Sequence, residues 1–408
     1  MNLIWDMMND LSFIISLGLI SIPIPGIASP IQSLLSTIIY MDLIMTDKWL
    51  SPLLDRMIEP SELEENSAMN IFFESQGFQS KLLFYNLGST FVFLLIQVLV
   101  LIYAALMCFL SSISALQAYS SHLRIFRAEK QYRFLRQRFI WEGTIRFVLQ
   151  QFQPLLFSSL INIRCSILED LPTNSIGIRF NYSISVIIFC ATLLSVFVFC
   201  GIILKEKAKE KEFSILVDGL KSCNRGFAQY WTVWTLVKWS FMCFILVLLS
   251  DYPAQQLQLL TLLSICSTLL QLALSPMDSK IENFMSLFNE IMANIYLYTL
   301  IALASSDSDF NLRENIGLAL ISILLFTLFT NLLKVLIQIG IQLFKKIKFA
   351  ICRKRMIRER AKKYADKLAT LQTIREEEEE KKEKEEEDMF QKTLRRGKGF
   401  RTTLKSNR

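Results

Sequence analysis

Two ionisable residues lie where charge is costly. Lys238 sits about two helical turns into one apolar run, and Glu290 about two turns into another. An ionised group in hydrocarbon costs several kcal/mol unless it is paired or hydrated, roughly what a few hydrogen bonds return. Both runs begin on the same predicted side, so the two groups fall at similar depth and can form an ion pair. A third group, Lys334, follows Asn331 by three residues and precedes Gln338 by four. That spacing puts all three on one helix face, which must then meet other helices or water. With Gln271, Asn289 and Asn294 these residues are candidates to line a hydrophilic path. The plainer alternative is a polar clamp between helices, with Lys334 extending its amine toward the headgroups.

A second set is basic. Arg124, Arg127, Lys130, Arg133 and Arg136 recur every third residue, the spacing that aligns charges in voltage-sensing helices. The intervening Ala128, Glu129, Gln131 and Tyr132 are not the apolar spacers such a helix needs. The reading preferred on sequence is a basic helix lying at an interface of anionic headgroups. Enzyme chemistry has little to work with. His122 is the one histidine, so neither a zinc site nor a histidine acid–base pair can be assembled, and no phosphate-binding glycine motif occurs. No catalytic residue, cofactor or nucleic-acid partner is expected.

The elements that must carry these groups follow from length and charge. Apolar runs fall at roughly 9–26, 28–46, 87–116, 147–165, 182–204, 231–250, 255–275, 284–304 and 316–344, most near the ~20 residues a helix needs to cross a bilayer. Threaded alternately, they leave 36 of the 44 Lys and Arg on one side and 6 on the other, counting Arg164 at the outer end of its run, with Lys238 and Lys334 deeper inside the runs. Cytoplasmic loops retain Lys and Arg, so the basic side is read as the inside. The expected fold is therefore all-α: a polytopic transmembrane helical bundle of about nine spans, amino terminus out and carboxyl terminus in. Pro23, Pro25 and Gly26 divide the first apolar stretch into a hairpin over 1–46. An acidic outer loop at 47–86, a seven-span bundle at 87–345 and a charged inner tail at 346–408 complete the organisation. Asn181, Tyr182 and Ser183 form a glycosylation sequon at the outer edge of a span.

The tail begins with ten basic residues between Lys345 and Lys363, among them Lys346, Lys348, Arg353, Lys354 and Arg355. Such a cluster is attracted to an anionic leaflet, and Cys352 within it is placed for palmitoylation. Glu376 to Asp388 is acidic, and Lys392 to Arg408 is basic again. Ala361, Tyr364, Leu368 and Leu371 give two heptads, short of a coiled coil, so the expectation is a helix that leaves the membrane and frays. A cytosolic protein is a candidate partner for these blocks.

Three stretches carry a family resemblance: Pro23 to Leu54 leading through FFESQGFQSKLLFYNLGS at 72–89, RFIWEGTIRFVLQQFQPLLFSSLINI at 138–163, and ENFMSLFNEI at 282–291 after an Ala-Leu-Ser-Pro turn. Together they resemble the carboxyl-terminal, TRP-like membrane module of very large ciliate surface proteins. The resemblance implies a plasma or surface membrane and, in that family, a module that follows a cysteine-rich ectodomain.

A loop-filter channel conflicts with the last outer connection, 305–315, which is too short for a re-entrant pore helix and filter. The last seven runs share the gross topology of a seven-helix receptor, with no supporting motif. The expectation is a channel-like or signal-transducing membrane module, with a non-conducting anchor or scaffold as the alternative.

Overall fold

The structure is a computed structural model that describes residues 11–25, 30–31, 49, 52, 67–112, 128–168, 176–210, 212–221, 226–306 and 309–403. It divides into two compact units, Met1–Val335 and Leu336–Arg408. Among the described residues there is no strand, and only Ser67 with Ser80 and Leu220 with Met277 form isolated antiparallel bridges. Two short helices, α1 (Ile71–Ser75) and α2 (Leu83–Leu87), precede α3 (Ser89–Ser112). Then follow α4 (Ala128–Leu135), α5 (Glu142–Leu168), α6 (Ile176–Leu204), α7 (Trp231–Leu248), α8 (Pro253–Leu274), α9 (Lys280–Ser305) and α10 (Phe310–Thr403).

Helices α3, α6, α8 and α9, the helix containing Trp231–Leu248, and α10 are long and apolar enough to cross a membrane. Their outward faces carry large apolar side chains: Leu99, Ile102 and Phe109 on α3, Ile187, Leu194 and Phe197 on α6, Leu262 and Leu269 on α8. A water-soluble bundle would turn those residues inward; hydrocarbon removes the need. The run expected at 147–165 is a complete helix in α5 but is less apolar, for a physical reason. α5 is the central helix, packed against α2, α3, α6 and α7, so its Gln151, Gln153, Ser158, Ser159 and Asn162 are buried against protein rather than lipid. Of the nine expected runs, the second lies outside the described residues except for 30–31, and the first is described only over 11–25.

Polar contacts set the register around α5. Thr90 donates to Gln151 Oε1 at 2.7 Å and Gln97 Nε2 to Thr144 Oγ1 at 2.7 Å, so α3 and α5 run antiparallel. Asn162 joins three elements: its amide donates to the Lys81 carbonyl at 2.9 Å and its Oδ1 accepts from Ser185 of α6 at 2.9 Å. Arg164 pairs with Asp251 in the α7–α8 turn at 2.7 Å. At the opposite end the 205–221 segment docks on the α8–α9 turn, where Lys221 N–H donates to Pro276 O and Asp278 N–H to Gly219 O, each at 2.9 Å. Asn283 closes that turn by accepting from Met277 N–H at 2.9 Å and donating to Met277 O at 2.6 Å.

Short connections therefore define two ends. The starts of α7 and α9 and the end of α8 share one, hereafter the basic end. The α7–α8 turn, the start of α10 and the end of α5 share the other.

Three observations bear on the sequence expectations. Residues 11–25 lead from the level of Lys238 in α7, where Phe13 lies, to the far end, where Ser21 bonds Gln256 at the start of α8 and Pro25 abuts Gly317 in α10. The first apolar run thus points from the basic end outward, opposite to the direction drawn from strict alternation. The basic ladder, expected as a helix at an interface of anionic headgroups, is described only from Ala128 onward. Its described part, α4 with Lys130 and Arg133, packs along α3, where Tyr103 OH donates to Gln131 Oε1 at 2.9 Å, and a π turn at Arg136–Ile140 joins it to α5. Arg136 approaches Glu212 at 3.8 Å; Arg124 and Arg127 lie outside the described residues. Finally, Asn181 is not presented as an acceptor, because α6 begins before it and leaves the residue 3% exposed within the second helical turn.

The second unit is the distal part of α10. Helix continues to Thr403 in place of the expected fraying. No proline interrupts it, and opposite charges recur at i,i+4 in Arg375 with Glu379, Lys384 with Glu380 and Lys392 with Asp388. Lys345, Lys346, Lys348, Cys352, Arg353, Lys354 and Arg355 are exposed on this helix, as are Tyr364, Leu368 and Leu371.

Candidate functional site

Lys238 belongs to no sequence motif; what places it is helix α7 itself, whose buried face includes Val233, Leu236, Trp239 and Cys243 on either side of it. Its ammonium has no water to face, and it finds Glu290 Oε1 on α9 at 2.5 Å. The two side chains are 6% and 13% exposed. The ring of Phe13 covers the same ammonium, with Nζ 3.8 Å from the ring centroid. A carboxylate and an aromatic face are the two partners that best offset the desolvation of an amine.

One turn along α9, Asn294 donates to the Glu290 carbonyl at 3.0 Å and to Thr268 Oγ1 of α8 at 2.8 Å. On the neighbouring flank, Asn289 and Asn331 exchange amide hydrogen bonds between α9 and α10, at 3.2 and 2.7 Å, and Asn331 also donates to Thr327 O. Both asparagines are buried, so this pair is a satisfied clamp. Helix α8 contributes a different surface. Its buried face passes from Leu257 and Leu260 near the far end to Ser264, Ser267 and Gln271 near the basic end. The side-chain polar atoms of those last three are buried without a hydrogen-bond partner, as are Glu290 Oε2 and Asn294 Oδ1. Buried polar groups are normally paired, so a row of unpaired ones is a surface suited to water or a polar solute.

The structure therefore brings Lys238, Glu290, Asn289, Asn294 and Asn331 together in one layer toward the basic end, with Gln271 on the facing helix. Lys334 lies one turn beyond Asn331 on α10, half-buried, and Gln338 belongs to the second unit. Sequence reasoning missed Phe13, Thr268 and Gln256. Gln256 is fully buried, accepts from Ser21 N–H at 3.0 Å and donates to Leu246 O at 3.0 Å. Its signal in the sequence was weak, since a glutamine in the first turn of a helix is ordinary. The 3₁₀ turn Leu17–Leu19 gives way to extended backbone at Ile20, which frees the Ser21 amide that Gln256 then satisfies.

No family model matches the chain, and searches of curated proteins and of solved structures return no match.

Proposed function

We propose that the protein is a non-enzymatic, channel-like or signal-transducing multispan module of a surface membrane, in which the polar layer between α7, α8, α9 and α10 is the working element. The observation that carries this reading is the Lys238–Glu290 pair, deep in the helices and adjacent to the unpaired polar row of α8. Retaining a buried ion pair is seldom favourable for stability alone, since well-packed apolar residues of similar volume serve as well or better. The path would be lined by helix side chains rather than by a loop filter. The surface-membrane location comes from the family resemblance, and the direction of residues 11–25 supports an amino end on the side of the basic end of the first unit. Anionic headgroups are the proposed partners of the α4 and Lys345–Arg355 cations.

Purified protein in planar bilayers should pass ions, and Glu290→Gln should change the current; silence from well-folded wild-type protein would exclude conduction. A second reading, a non-conducting anchor whose tail binds cytosolic protein, is favoured by the reciprocal Asn289–Asn331 clamp, in which each amide nitrogen and oxygen already bonds across the α9–α10 contact. Tags at the two ends, tested for access in sealed vesicles, check the orientation independently of either reading.

A further inference from the structure

One enclosed stretch of the first unit changes conformation along its length. Every residue from Leu11 to Ile20 is buried, on all faces of the segment, whereas α3 and α6 bury only a narrow stripe. The backbone passes from α-helix through the 3₁₀ turn Leu17–Leu19 to an extended stretch ending at Pro25. Irregular backbone inside a membrane protein is tolerated only where protein surrounds it or where it borders a cavity. Here protein surrounds it, and three contacts to three helices fix its position. Phe13 lies on Lys238 of α7, Ser21 N–H is held by Gln256 of α8, and Pro25 fills the notch left by Gly317 of α10. A Cβ at Gly317 would stand 3.2 Å from Pro25 Cγ and 3.3 Å from Pro25 O, so that notch exists because the residue is glycine.

We propose that residues 11–25 form an internal plug that closes the polar layer, with Phe13 as the seal over the Lys238–Glu290 pair and Gln256 with Gly317 as the latch. The proposal deepens the conducting or transducing reading, because the path it closes is the layer described above. The ring of Phe13 occupies the face of the ammonium that Glu290 leaves free, and it holds water away from the pair. Behind the pair, Ser264, Ser267 and Gln271 offer polar atoms that hydrate once water enters. Apolar packing supplies most of what retains the plug; at the far end the Gln256 bond ties it to α8, and Arg313 of α10 donates to Pro23 O at 3.5 Å. Withdrawal of the segment therefore exposes the layer without breaking the helices that form it.

Accessibility of the layer tests this without relying on conduction. In a background with all eight native cysteines replaced, Ser264→Cys is reconstituted into vesicles and exposed to a membrane-impermeant charged thiol reagent. Labelling should be slow with Phe13 in place, remain slow with Phe13→Tyr, and rise on the order of tenfold with Phe13→Ala, as expected for an opening made easier by one large contact. Gln256→Leu leaves Phe13 intact but releases the latch, and it should also speed labelling; it decides the matter if Phe13→Ala does not yield a monodisperse protein. Equal labelling rates in wild type and in folded Phe13→Ala and Gln256→Leu variants would overturn the plug. Faster labelling with no ion flux would retain the plug and remove the conducting reading.

Discussion

Ser21 donates its backbone N–H to Gln256 Oε1 although 235 residues separate them, and the same glutamine reaches on to the Leu246 carbonyl. One buried side chain thereby satisfies a donor freed by a broken helix and an acceptor near the end of another. The amino-terminal segment is thus an internal part of the bundle.

Removing that bridge should be measurable. Gln256→Leu leaves the Ser21 amide unpaired in a dry setting, and the expected loss is about 1–3 kcal/mol. Thermal unfolding in detergent should show a lowered midpoint, together with earlier proteolytic cleavage near the amino terminus. An unchanged midpoint would mean that water replaces the bridge.

The ion pair gives a second prediction through a double-mutant cycle. Glu290→Gln alone leaves the Lys238 ammonium buried without a countercharge and should destabilise the protein by about 3–5 kcal/mol. Replacing both residues, Lys238→Met with Glu290→Leu, should recover most of that loss while abolishing function. If the double variant is as unstable as the single, the pair is a structural requirement and not a functional one.

Gly317 faces Pro25 too closely for a side chain. Gly317→Val should cost about 1–3 kcal/mol through overpacking, and combining it with Pro25→Gly should return part of that cost. Equal effects of Gly317→Val with and without Pro25 would show that the notch is not occupied in solution.

The sequon at Asn181 yields a prediction of absence. Because Asn181 is enclosed within α6, glycosidase treatment of protein from a glycosylating host should leave its electrophoretic mobility unchanged. A mobility shift that disappears in Asn181→Gln would require the start of α6 to unwind.

Sequence reasoning reached the Lys238 and Glu290 positions because depth in an apolar run can be counted from its end. It reached Asn331 and Asn289 because unpaired amides in such runs demand partners. It could not reach Phe13, one of 31 phenylalanines, since its role depends on a lysine more than 200 positions away. It also placed the start of α6 too late, because Arg179 and Asn181 look like loop residues until the neighbours that bury the asparagine are known.

What the residues alone determined is local: the lengths of the apolar helices, the concentration of Lys and Arg on one side, and the polar groups that must turn away from lipid. Tertiary structure decided which of those groups meet, that α5 is the central helix, and that residues 11–25 lead away from the basic end. The physical reason is that the cost of exposing charge to hydrocarbon acts residue by residue, whereas lateral arrangement does not. Once apolar helices lie in lipid, no hydrophobic gain selects their neighbours, and close packing and hydrogen bonds between distant residues make that choice.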